Sequence, residues 1–511
     1  MNKYYNPIHV HSTYSLLDGL PKVKDIINRV KEIGSNYVTI TDHGSLASIP
    51  ELIKECKNAN IKNIIGEEFY CSEKPANIRD NDNREHSHLL IYANNDDGWK
   101  TLLKIHNKAC EPENFYYRPR LSIEQVADLT DGNISIIIGH IGSKLANLIL
   151  QDDYQAAKSL VFFLCDKFGK ENVWLEAQSV GVHCIPETRK ILAVIRRLSN
   201  ELNIPSVATP DAHYPKRENK ILQNILLCKG LGGITLEELK NSGMSTFATS
   251  DDWFIPTYDE IKNHYGSTEQ ELENTIVFAD RISEYKNILR SPMLPNFKCP
   301  ENHTATTWLR ELCRNGWRNK IQNVVPKNEQ QIYVDRIKHE LQVFEEANLA
   351  GYFLIVEDII RYATEQLKCI KSPGRGSVGG CLTAYLLNIT QVDPIKYGLL
   401  FSRFYDESRK ENLADIDMDF PKYKREQIIQ YIKDKYGKDH VAQIATYQTM
   451  KGRAALKDVF RAYGNINVDE QNRLTKHLPD PAKIAGELQE MEEEEGESSL
   501  IRYTQIGRAH V

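Results

Sequence analysis

The residues best able to do chemistry are histidines and carboxylates near short apolar runs. His9 and His11 flank Val10, and because side chains alternate along an extended segment, both imidazoles lie on one face. Asp18 follows in the next loop, and six further groups lie at the ends of apolar runs: His43, Glu68, His88, His140, Asp211 and His213. A single histidine is more often a core or surface residue. The recurrence favours a metal site, since zinc, manganese and iron accept imidazole and carboxylate ligands.

Alternating aspartates in Asp415-Ile-Asp-Met-Asp-Phe420 predict a second site. In a strand these carboxylates share one face at a spacing of about 7 Å, and the apolar side chains share the other. Like charges so placed repel unless a cation lies between them. Two carboxylates that bind two Mg²⁺ ions form the arrangement used for in-line phosphoryl transfer, and the three aspartates of this run are the candidates. The alternative is an acidic edge strand without a metal.

The stretch Gly374-Arg-Gly-Ser-Val-Gly379 matches the GxGxxG pattern without its usual context. No strong apolar strand precedes it, no acid closes a compact βαβ unit, and no GK[ST] follows. What remains is a turn of small residues that exposes backbone N–H groups at the start of a helix, with Arg375 as an added cation. This favours a phosphate cradle. The alternative is a tight turn before a buried helix.

Three basic residues, Arg453, Lys457 and Arg461, recur every fourth position and therefore share one face of a predicted helix. Small neighbours keep this region slim, which suits a grip on a DNA backbone that does not depend on base sequence. On spacing alone, a solvated helix face is the simpler interpretation.

The elements that must position these residues belong to a chain of several domains. Its 511 residues suggest about three domains, and 41% hydrophobic with 26% charged residues is normal for a globular protein. The net charge of -6 excludes a protein held on nucleic acid by bulk charge, but not a local basic face. We find no apolar signal segment, no run near the ~20 residues of a membrane span, and no CxxC pair among ten cysteines. We therefore expect a cytoplasmic protein with free thiols.

The first part of the chain alternates apolar runs with amphipathic segments. Runs at 37–40, 61–65, 89–92, 134–138, 173–177 and 205–209 read as strands, with helices at 21–33 and 187–203 among them. This rhythm predicts βα units in a mostly parallel sheet or barrel. Helical patterns cover 328–366, 381–387 and 425–478, and the acidic run at 490–497 reads as a solvated loop.

Five motifs of the first part, HVHSTYSLLDG, TDHG, GEEFY, SHLLIYA and TPDAHY, resemble those of the PHP (polymerase and histidinol phosphatase) domain. The resemblance implies a distorted (βα)₇ barrel with up to three Zn²⁺ or Mn²⁺ ions. It assigns the ligand roles to the nine residues His9, His11, Asp18, His43, Glu68, His88, His140, Asp211 and His213. His140 departs from the polymerase-type pattern, in which cysteine is common. A 3′–5′ exonuclease or pyrophosphatase activity would suit such a site.

The later motifs AGYFLIVEDII, SPGRGSVGGCLTAYLLNIT, DPIKYGLLFSRF and ADIDMDF resemble the palm of the bacterial DNA polymerase III alpha family, and TMKGRAALKDVFRAYG resembles its thumb. The palm is similar to that of polymerase β-type nucleotidyltransferases, an α+β fold followed by a helical thumb. The resemblance places catalytic aspartates at Asp415 and Asp417, which hold two Mg²⁺. It places nucleotide-phosphate contacts at Gly374, Arg375, Gly376, Ser377 and Arg403, and DNA contacts at Arg453, Lys457 and Arg461.

Three departures from the palm pattern stand out: Cys381 for serine, Ala414 for proline, and one extra residue between Phe404 and Asp415. The PHP motifs are not interrupted by an exonuclease, which indicates the DnaE type and not the PolC type. We expect a multidomain α/β chain with a PHP domain at 1–270, the palm at 271–435 and part of the thumb at 436–504. The last residues, QIGRAHV at 505–511, read as a tail derived from sequencing-adapter DNA.

These resemblances predict a DNA-directed DNA polymerase that adds deoxynucleotides to a primer 3′ end on a DNA template. A sliding clamp and clamp-loader or replisome subunits are the implied partners, without a membrane. The third palm aspartate, the fingers and the clamp-binding region would lie beyond residue 511, so we expect this chain alone not to polymerise DNA. Two alternatives remain: a stand-alone PHP phosphoesterase, and a non-catalytic scaffold for replication proteins. The sequence does not distinguish a bacterial from a phage origin, or a main replicase from an error-prone paralogue.

Overall fold

The computed structural model describes residues 3–290, 293, 296–405, 415–450, 452–464 and 467–476, without the side chains of 245 and 246. Among these residues, one compact unit comprises those of Met1–Arg290 and Gln448–Val511, and a second comprises those of Ser291–Tyr447. Three sequence predictions lie outside the described residues: the acidic loop at 490–497, the tail at 505–511 and the entry to the aspartate run at Ala414.

A seven-stranded mixed sheet forms the centre of the first unit. Its strands are β1 (Tyr37–Ile40), β2 (Lys62–Ser72), β3 (His86–Ala93), β4 (Leu121–Ser122), β5 (Ile134–Ile138), β6 (Val173–Gln178) and β7 (Ser206–Thr209). They lie in the order β1-β2-β3-β5-β6-β7, with β4 beside β2. The strands are parallel except that β3 runs antiparallel to both β2 and β5. The predicted mostly parallel sheet is confirmed.

An extended segment around Val10 joins the two ends of this strand order. The Thr41 N–H, just after β1, donates to the Val10 carbonyl at 2.8 Å. The His11 N–H donates to the carbonyl of Ala212, just after β7, also at 2.8 Å, and the Ala212 N–H donates to the His9 carbonyl at 3.1 Å. A short bridge instead of a full strand therefore joins β1 and β7, which gives the sheet its distorted barrel form.

Helices accompany the sheet, and the first seven of them share an apolar core with its strands. They are α1 (Val23–Glu32), α2 (Ile49–Ala59), α3 (Asp96–Cys110), α4 (Ile123–Ala127), α5 (Lys144–Leu150), α6 (Tyr154–Phe168), α7 (Pro186–Leu202), α8 (Lys220–Gly230), α9 (Leu236–Lys240), α10 (Ser245–Thr249) and α11 (Glu269–Arg281). The strands β1, β5, β6 and β7 are buried along their whole length. Such strands read as continuous apolar runs, which is why the sequence locates them well.

The units divide at residues 290 and 447, whereas the sequence suggested boundaries at 270 and 435. The first difference has a packing cause, because Phe278 on α11 is buried against Tyr92 and Trp174 of the sheet, with ring centroids 5.0 and 5.4 Å away. The second boundary, at residue 447, also has a packing cause. The helix α17 (Gly452–Tyr463) shares a buried cluster with α8, and α18 (Val468–Lys476) follows it. The assignment of palm and thumb itself stays a prediction.

The second unit is helical in its described residues, with α12 (Ala305–Lys320), α13 (Gln330–Glu346), α14 (Ala350–Glu365), α15 (Leu382–Leu386) and α16 (Arg425–Tyr436). The predicted strand over Asp415–Phe420 was wrong, since those residues pair with no strand in the described part of this unit. A strand needs a neighbour for its backbone groups, and the described residues supply none. The alternation survives: Ile416 is buried, and Asp415, Asp417 and Asp419 are exposed.

Candidate functional site

The nine histidines and carboxylates predicted from the first part of the chain come together at one end of the sheet. The extended bridge carries His9 and His11, and the segments after β1 and β7 carry the groups nearest to them. His88 joins the cluster from the beginning of β3, because an antiparallel strand begins at the edge where its parallel neighbours end.

Glu68 is the carboxylate that contacts most members of the cluster, and its side chain is only 1% exposed. One oxygen, Oε1, lies 2.7 Å from His88 Nδ1 and 3.0 Å from His140 Nε2. The other, Oε2, lies 2.5 Å from His43 Nδ1 and 3.3 Å from His11 Nε2. One carboxylate therefore links imidazoles from four separate segments of the chain.

A second carboxylate, Asp211, faces the two histidines of the extended bridge. Its Oδ1 lies 3.3 Å from His9 Nε2 and 3.4 Å from His11 Nε2, and these two nitrogens are 3.2 Å apart. Gln178 donates from Nε2 to Asp211 Oδ2 at 3.0 Å and fixes its orientation. Two imidazole nitrogens and a carboxylate oxygen thus converge on a common point.

The third part of the cluster contains Asp18, His43 and His213. Asp18 Oδ2 lies 3.0 Å from His43 Nε2 and 3.5 Å from His213 Nε2. The His11 ring stacks against both the His43 and the His213 ring, with centroids 4.1 and 4.3 Å away. The predicted residues therefore form one continuous cluster.

Three of the imidazoles are held by a partner on their Nδ1 side. His9 Nδ1 lies 2.7 Å from Glu176 Oε1, His11 Nδ1 lies 3.0 Å from Ser15 Oγ, and His213 Nδ1 lies 3.0 Å from the Asp211 carbonyl. Because each partner accepts the Nδ1 proton, the Nε2 lone pair faces the cluster. A partner on one nitrogen that directs the other is typical of metal-binding histidines.

Glu176 is a site residue that the sequence analysis missed. It is fully buried on β6, and its Oε2 lies 3.3 Å from His140 Nδ1, while Oε1 contacts His9 and accepts a hydrogen bond from Thr209 Oγ1 at 2.8 Å. The available signal was a carboxylate within the otherwise apolar run 173–177, which is costly unless it is paired. Glu176 therefore orients His9, and its second oxygen lies close to His140.

We expect Glu176→Gln to weaken metal binding by about 10- to 100-fold while leaving the ligand set intact, as second-shell changes do at other metal sites. An amide accepts the His9 proton less strongly, so the imidazole becomes a poorer and less well oriented ligand. Competition with a chromogenic chelator measures the change, and an unchanged metal affinity would contradict the orienting role.

Burial and neighbouring charges shift the pKa values of the imidazoles in this cluster in different directions. Burial, with His43 and His213 nearby, lowers the pKa of His11 to about 3, so its imidazole is neutral at physiological pH. Burial alone would raise the pKa of Glu176, but His9 and His140 lower it to about 2. Burial would lower the pKa of His140, yet the carboxylates of Glu176 and Glu68 raise it to about 9.

Two further features fit a bound cation. Asp18 Oδ1 is buried and has no hydrogen-bond partner among the described residues. A side chain on Gly142 would have its Cβ 3.0 Å from His140 Nε2 and 3.1 Å from His88 Nδ1, so the glycine leaves those nitrogens accessible. Three groups each bring their ligand atoms within 4.8 Å of one another: His11, His43 and His213; His9, His11 and Asp211; and His43, Glu68 and His88.

The second candidate site lies within the helical unit, where the glycine turn meets the aspartate run. Arg375 extends towards two carboxylates. Its Nη1 lies 3.3 Å from Asp419 Oδ1, and its Nε lies 3.7 Å from Asp417 Oδ2. Gly376 has φ +70, and a Cβ there would lie 3.0 Å from Asp417 Oδ2. The glycine turn and the aspartate run, more than 40 residues apart in the chain, are thus adjacent in the structure.

The other residues predicted for this site surround the same turn. Ser377 is exposed in the 3₁₀ turn Gly376–Gly380, and Arg403 is exposed in the turn Phe401–Arg403. The two turns pack closely, because a Cβ on Gly380 would be 2.5 Å from the Leu400 carbonyl. Asp415 is exposed at the start of the described aspartate run.

Glu340 on α13 is a second residue that the sequence analysis missed. This fully buried carboxylate accepts from the Leu382 N–H at 2.9 Å and from the Thr383 N–H at 2.7 Å, at the start of α15. Cys381, the departure from serine, accepts from the Ala384 N–H through Sγ at 3.4 Å. The thiol therefore takes the capping position that a hydroxyl would occupy, which explains why the departure is tolerated.

The basic row on α17 is partly engaged within its own unit. Lys457 donates to Asn472 Oδ1 at 2.7 Å, and Arg461 donates to Asp458 Oδ1 at 2.6 Å. Arg453 and Arg461 are exposed and Lys457 is half-buried. The spacing on one helix face is as predicted, and the role in DNA binding stays a prediction.

Comparison with known families matches both parts of the chain. The family model described as "PHP domain" matches residues 7–180, and the one described as "Bacterial DNA polymerase III alpha NTPase domain" matches residues 307–508.

In the described residues, no helix is both long and apolar enough to cross a membrane.

Curated relatives extend the match over almost the whole chain. The DNA polymerase III subunit alpha of Borreliella burgdorferi is 35% identical over 94% of this chain and 40% of its own length. The corresponding subunit of Aquifex aeolicus is 33% identical over 94% of this chain and 41% of its own length. The subunit of Treponema pallidum is 31% identical over 93% of this chain and 39% of its own length. The chain spans about two fifths of the length of these relatives. The chain is thus similar to the PHP domain over residues 7–180 and to bacterial DNA polymerase III alpha subunits over almost its whole length.

Proposed function

We propose that the protein is a DNA-directed DNA polymerase of the alpha-subunit class, which transfers deoxynucleotides to a primer 3′ end on a DNA template. The observation that supports this most strongly is the meeting of Arg375 and Gly376 with the aspartate run, within a segment that matches the family. A stand-alone phosphoesterase has no need of either element.

The residues of the second unit suit the binding of a nucleoside triphosphate. Exposed carboxylates at Asp415 and Asp417 would hold two Mg²⁺ ions, which supply charge neutralisation for phosphoryl transfer when bound. Arg375 and the N–H groups of the glycine turn would contact the phosphates, and Arg403 on the adjoining turn would add a cation. Ser377 would donate a hydrogen bond from its exposed hydroxyl.

Substrate DNA and protein partners follow from the same proposal. Primer–template DNA would lie against the exposed members of the row Arg453, Lys457 and Arg461, through its phosphates. A sliding clamp and clamp-loader or other replisome subunits would bind parts of the protein beyond this chain, in the cytoplasm.

We expect the purified 511-residue chain, given primer–template, dNTPs and Mg²⁺, to show no templated extension on a sequencing gel. Its length is about two fifths of that of the relatives, and the third carboxylate is expected outside it. A full-length alpha subunit from one of these relatives serves as the positive control. Extension by this chain that disappears with Asp417→Asn would show that its own site is complete.

A second activity, metal-dependent phosphoester hydrolysis in the PHP barrel, is favoured by the clustering of nine ligand candidates at one end of the sheet. The residues that would hold up to three Zn²⁺ or Mn²⁺ ions are the nine named above, and bound cations would polarise a phosphoryl oxygen and lower the pKa of water. Glu176 and Ser15 keep the Nε2 atoms of His9 and His11 directed into the site. A 3′ nucleotide or pyrophosphate is the proposed substrate.

A further inference from the structure

A glutamate, a histidine and a cysteine form a chain of contacts on the face of the sheet opposite the metal centre. Glu67 precedes Glu68 on β2, so its side chain points to the other face. It is fully buried, and its Oε1 lies 2.7 Å from Nδ1 of His106 on α3. His106 Nε2 lies 3.6 Å from Sγ of Cys110, one turn further along the same helix.

The order of these contacts determines which nitrogen of His106 faces the sulfur of Cys110. The Glu67 carboxylate accepts the Nδ1 proton, so Nε2 of His106 faces the sulfur. The imidazolium form of His106 donates from Nε2 to Sγ and thereby stabilises the thiolate once the thiol proton has left for solvent. Burial lowers the pKa of His106, but Glu67 and Cys110 raise it to about 11.

Two features show that this arrangement is more than a packed core contact. Cys110 is exposed, so reagents can reach its sulfur, whereas cysteines such as Cys56 and Cys71 are buried. The second oxygen of Glu67, Oε2, is buried and has no hydrogen-bond partner among the described residues. The negative charge of Glu67 is therefore balanced mainly by His106, which favours the imidazolium form.

We propose that Cys110 is an activated thiol and a site of modification by peroxides and other soft electrophiles, with the His106 imidazolium stabilising its thiolate and Glu67 as the residue that orients His106. The thiolate attacks one oxygen of hydrogen peroxide, an S–O bond forms and the O–O bond breaks. The leaving hydroxide takes the Nε2 proton of His106 and becomes water. Sulfur is oxidised to a sulfenic acid and the peroxide is reduced.

Cys184 offers an internal comparison within the same chain. It is also exposed, but its Sγ lies 3.6 Å from Asp252 Oδ2 instead of an imidazole. Burial, together with the charge of Asp252, raises the pKa of Cys184. Cys110 thus contacts an imidazole, whereas Cys184 contacts a carboxylate.

The test is a brief pulse of iodoacetamide on the full chain at pH 7, with peptide mass spectrometry of both cysteines. An ordinary thiol is about 3% thiolate at this pH, so stabilisation of the thiolate by His106 can raise the reactive fraction, and we expect Cys110 to react about tenfold faster than Cys184. His106→Gln should bring Cys110 within about twofold of Cys184, and Asn107→Ala, on the exposed side of the same helix, should change neither rate.

Hydrogen peroxide followed by a sulfenic-acid probe should label Cys110 first in the native chain. Equal alkylation rates of Cys110 and Cys184 in the native chain would overturn the proposal, as would a fast rate that survives His106→Gln. If that variant does not fold, the ratio of the alkylation rates of Cys110 and Cys184 in the native chain is sufficient to test the proposal.

Discussion

Glu68→Gln should abolish tight metal binding in the barrel, with a loss of metal affinity of at least about 100-fold, beyond that of typical second-shell changes. The structure gives the reason, because Glu68 contacts His43, His88 and His140 at 2.5–3.0 Å. A neutral amide has one oxygen and an NH₂ group, so it cannot bind cations through both ends. Metal content after dialysis, measured by inductively coupled plasma mass spectrometry, gives the direct readout.

Any hydrolysis of pyrophosphate or of a 3′-terminal nucleotide by the native chain in Mn²⁺ or Zn²⁺ should disappear in the same variant. Glu67→Gln is the matched control, since this neighbour is equally buried but lies on the opposite face of the strand. It should keep its metal, with its thermal unfolding checked beside the native chain. If the native chain itself binds neither Mn²⁺ nor Zn²⁺, the scaffold alternative for this domain gains support.

Glu340→Ala should destabilise the second unit by about 3–5 kcal/mol, the cost of breaking a buried ionic pair and leaving its partners unsatisfied. Its carboxylate accepts from two N–H groups of α15 and from the Thr383 hydroxyl at 2.9 Å. It also accepts from Arg336 Nε at 2.8 Å, and Arg336 in turn donates to the Gly380 carbonyl at 2.6 Å. The glycine turn therefore depends on Glu340 for its position.

Amide hydrogen exchange of peptides covering Leu382 and Thr383 measures this effect locally, and 3 kcal/mol corresponds to exchange about 100-fold faster. Glu346→Ala on the same helix is the control. That side chain is exposed and accepts a hydrogen bond from Gln342 on the same helix, so its loss should change stability by less than about 0.5 kcal/mol. Equal protection in the native chain and Glu340→Ala would refute the structural role of this carboxylate.

The sequence by itself determined the elements that bury a continuous apolar run and the ligand candidates at their ends. Strands β1 and β5 begin and end where their apolar runs do, at Tyr37–Ile40 and Ile134–Ile138. Hydrophobic periodicity carries this information because burial is decided locally by side-chain type. The alternation of the aspartate run was also readable, although its assignment as a strand was not, since a strand depends on a partner that local sequence does not reveal.

Only the tertiary structure decided which polar groups meet. Glu176 and Glu340 were invisible to motif reasoning, because each acts through residues from distant segments: His9 is 167 positions from Glu176, and Leu382 is 42 positions from Glu340. The pairing of Arg375 with Asp419 spans 44 positions. The reversal of β3, which brings His88 into the metal cluster, is likewise a property of strand pairing. Residue types set which chemistry is available, but a buried charge is satisfied by whichever partner the folded chain places within hydrogen-bond distance.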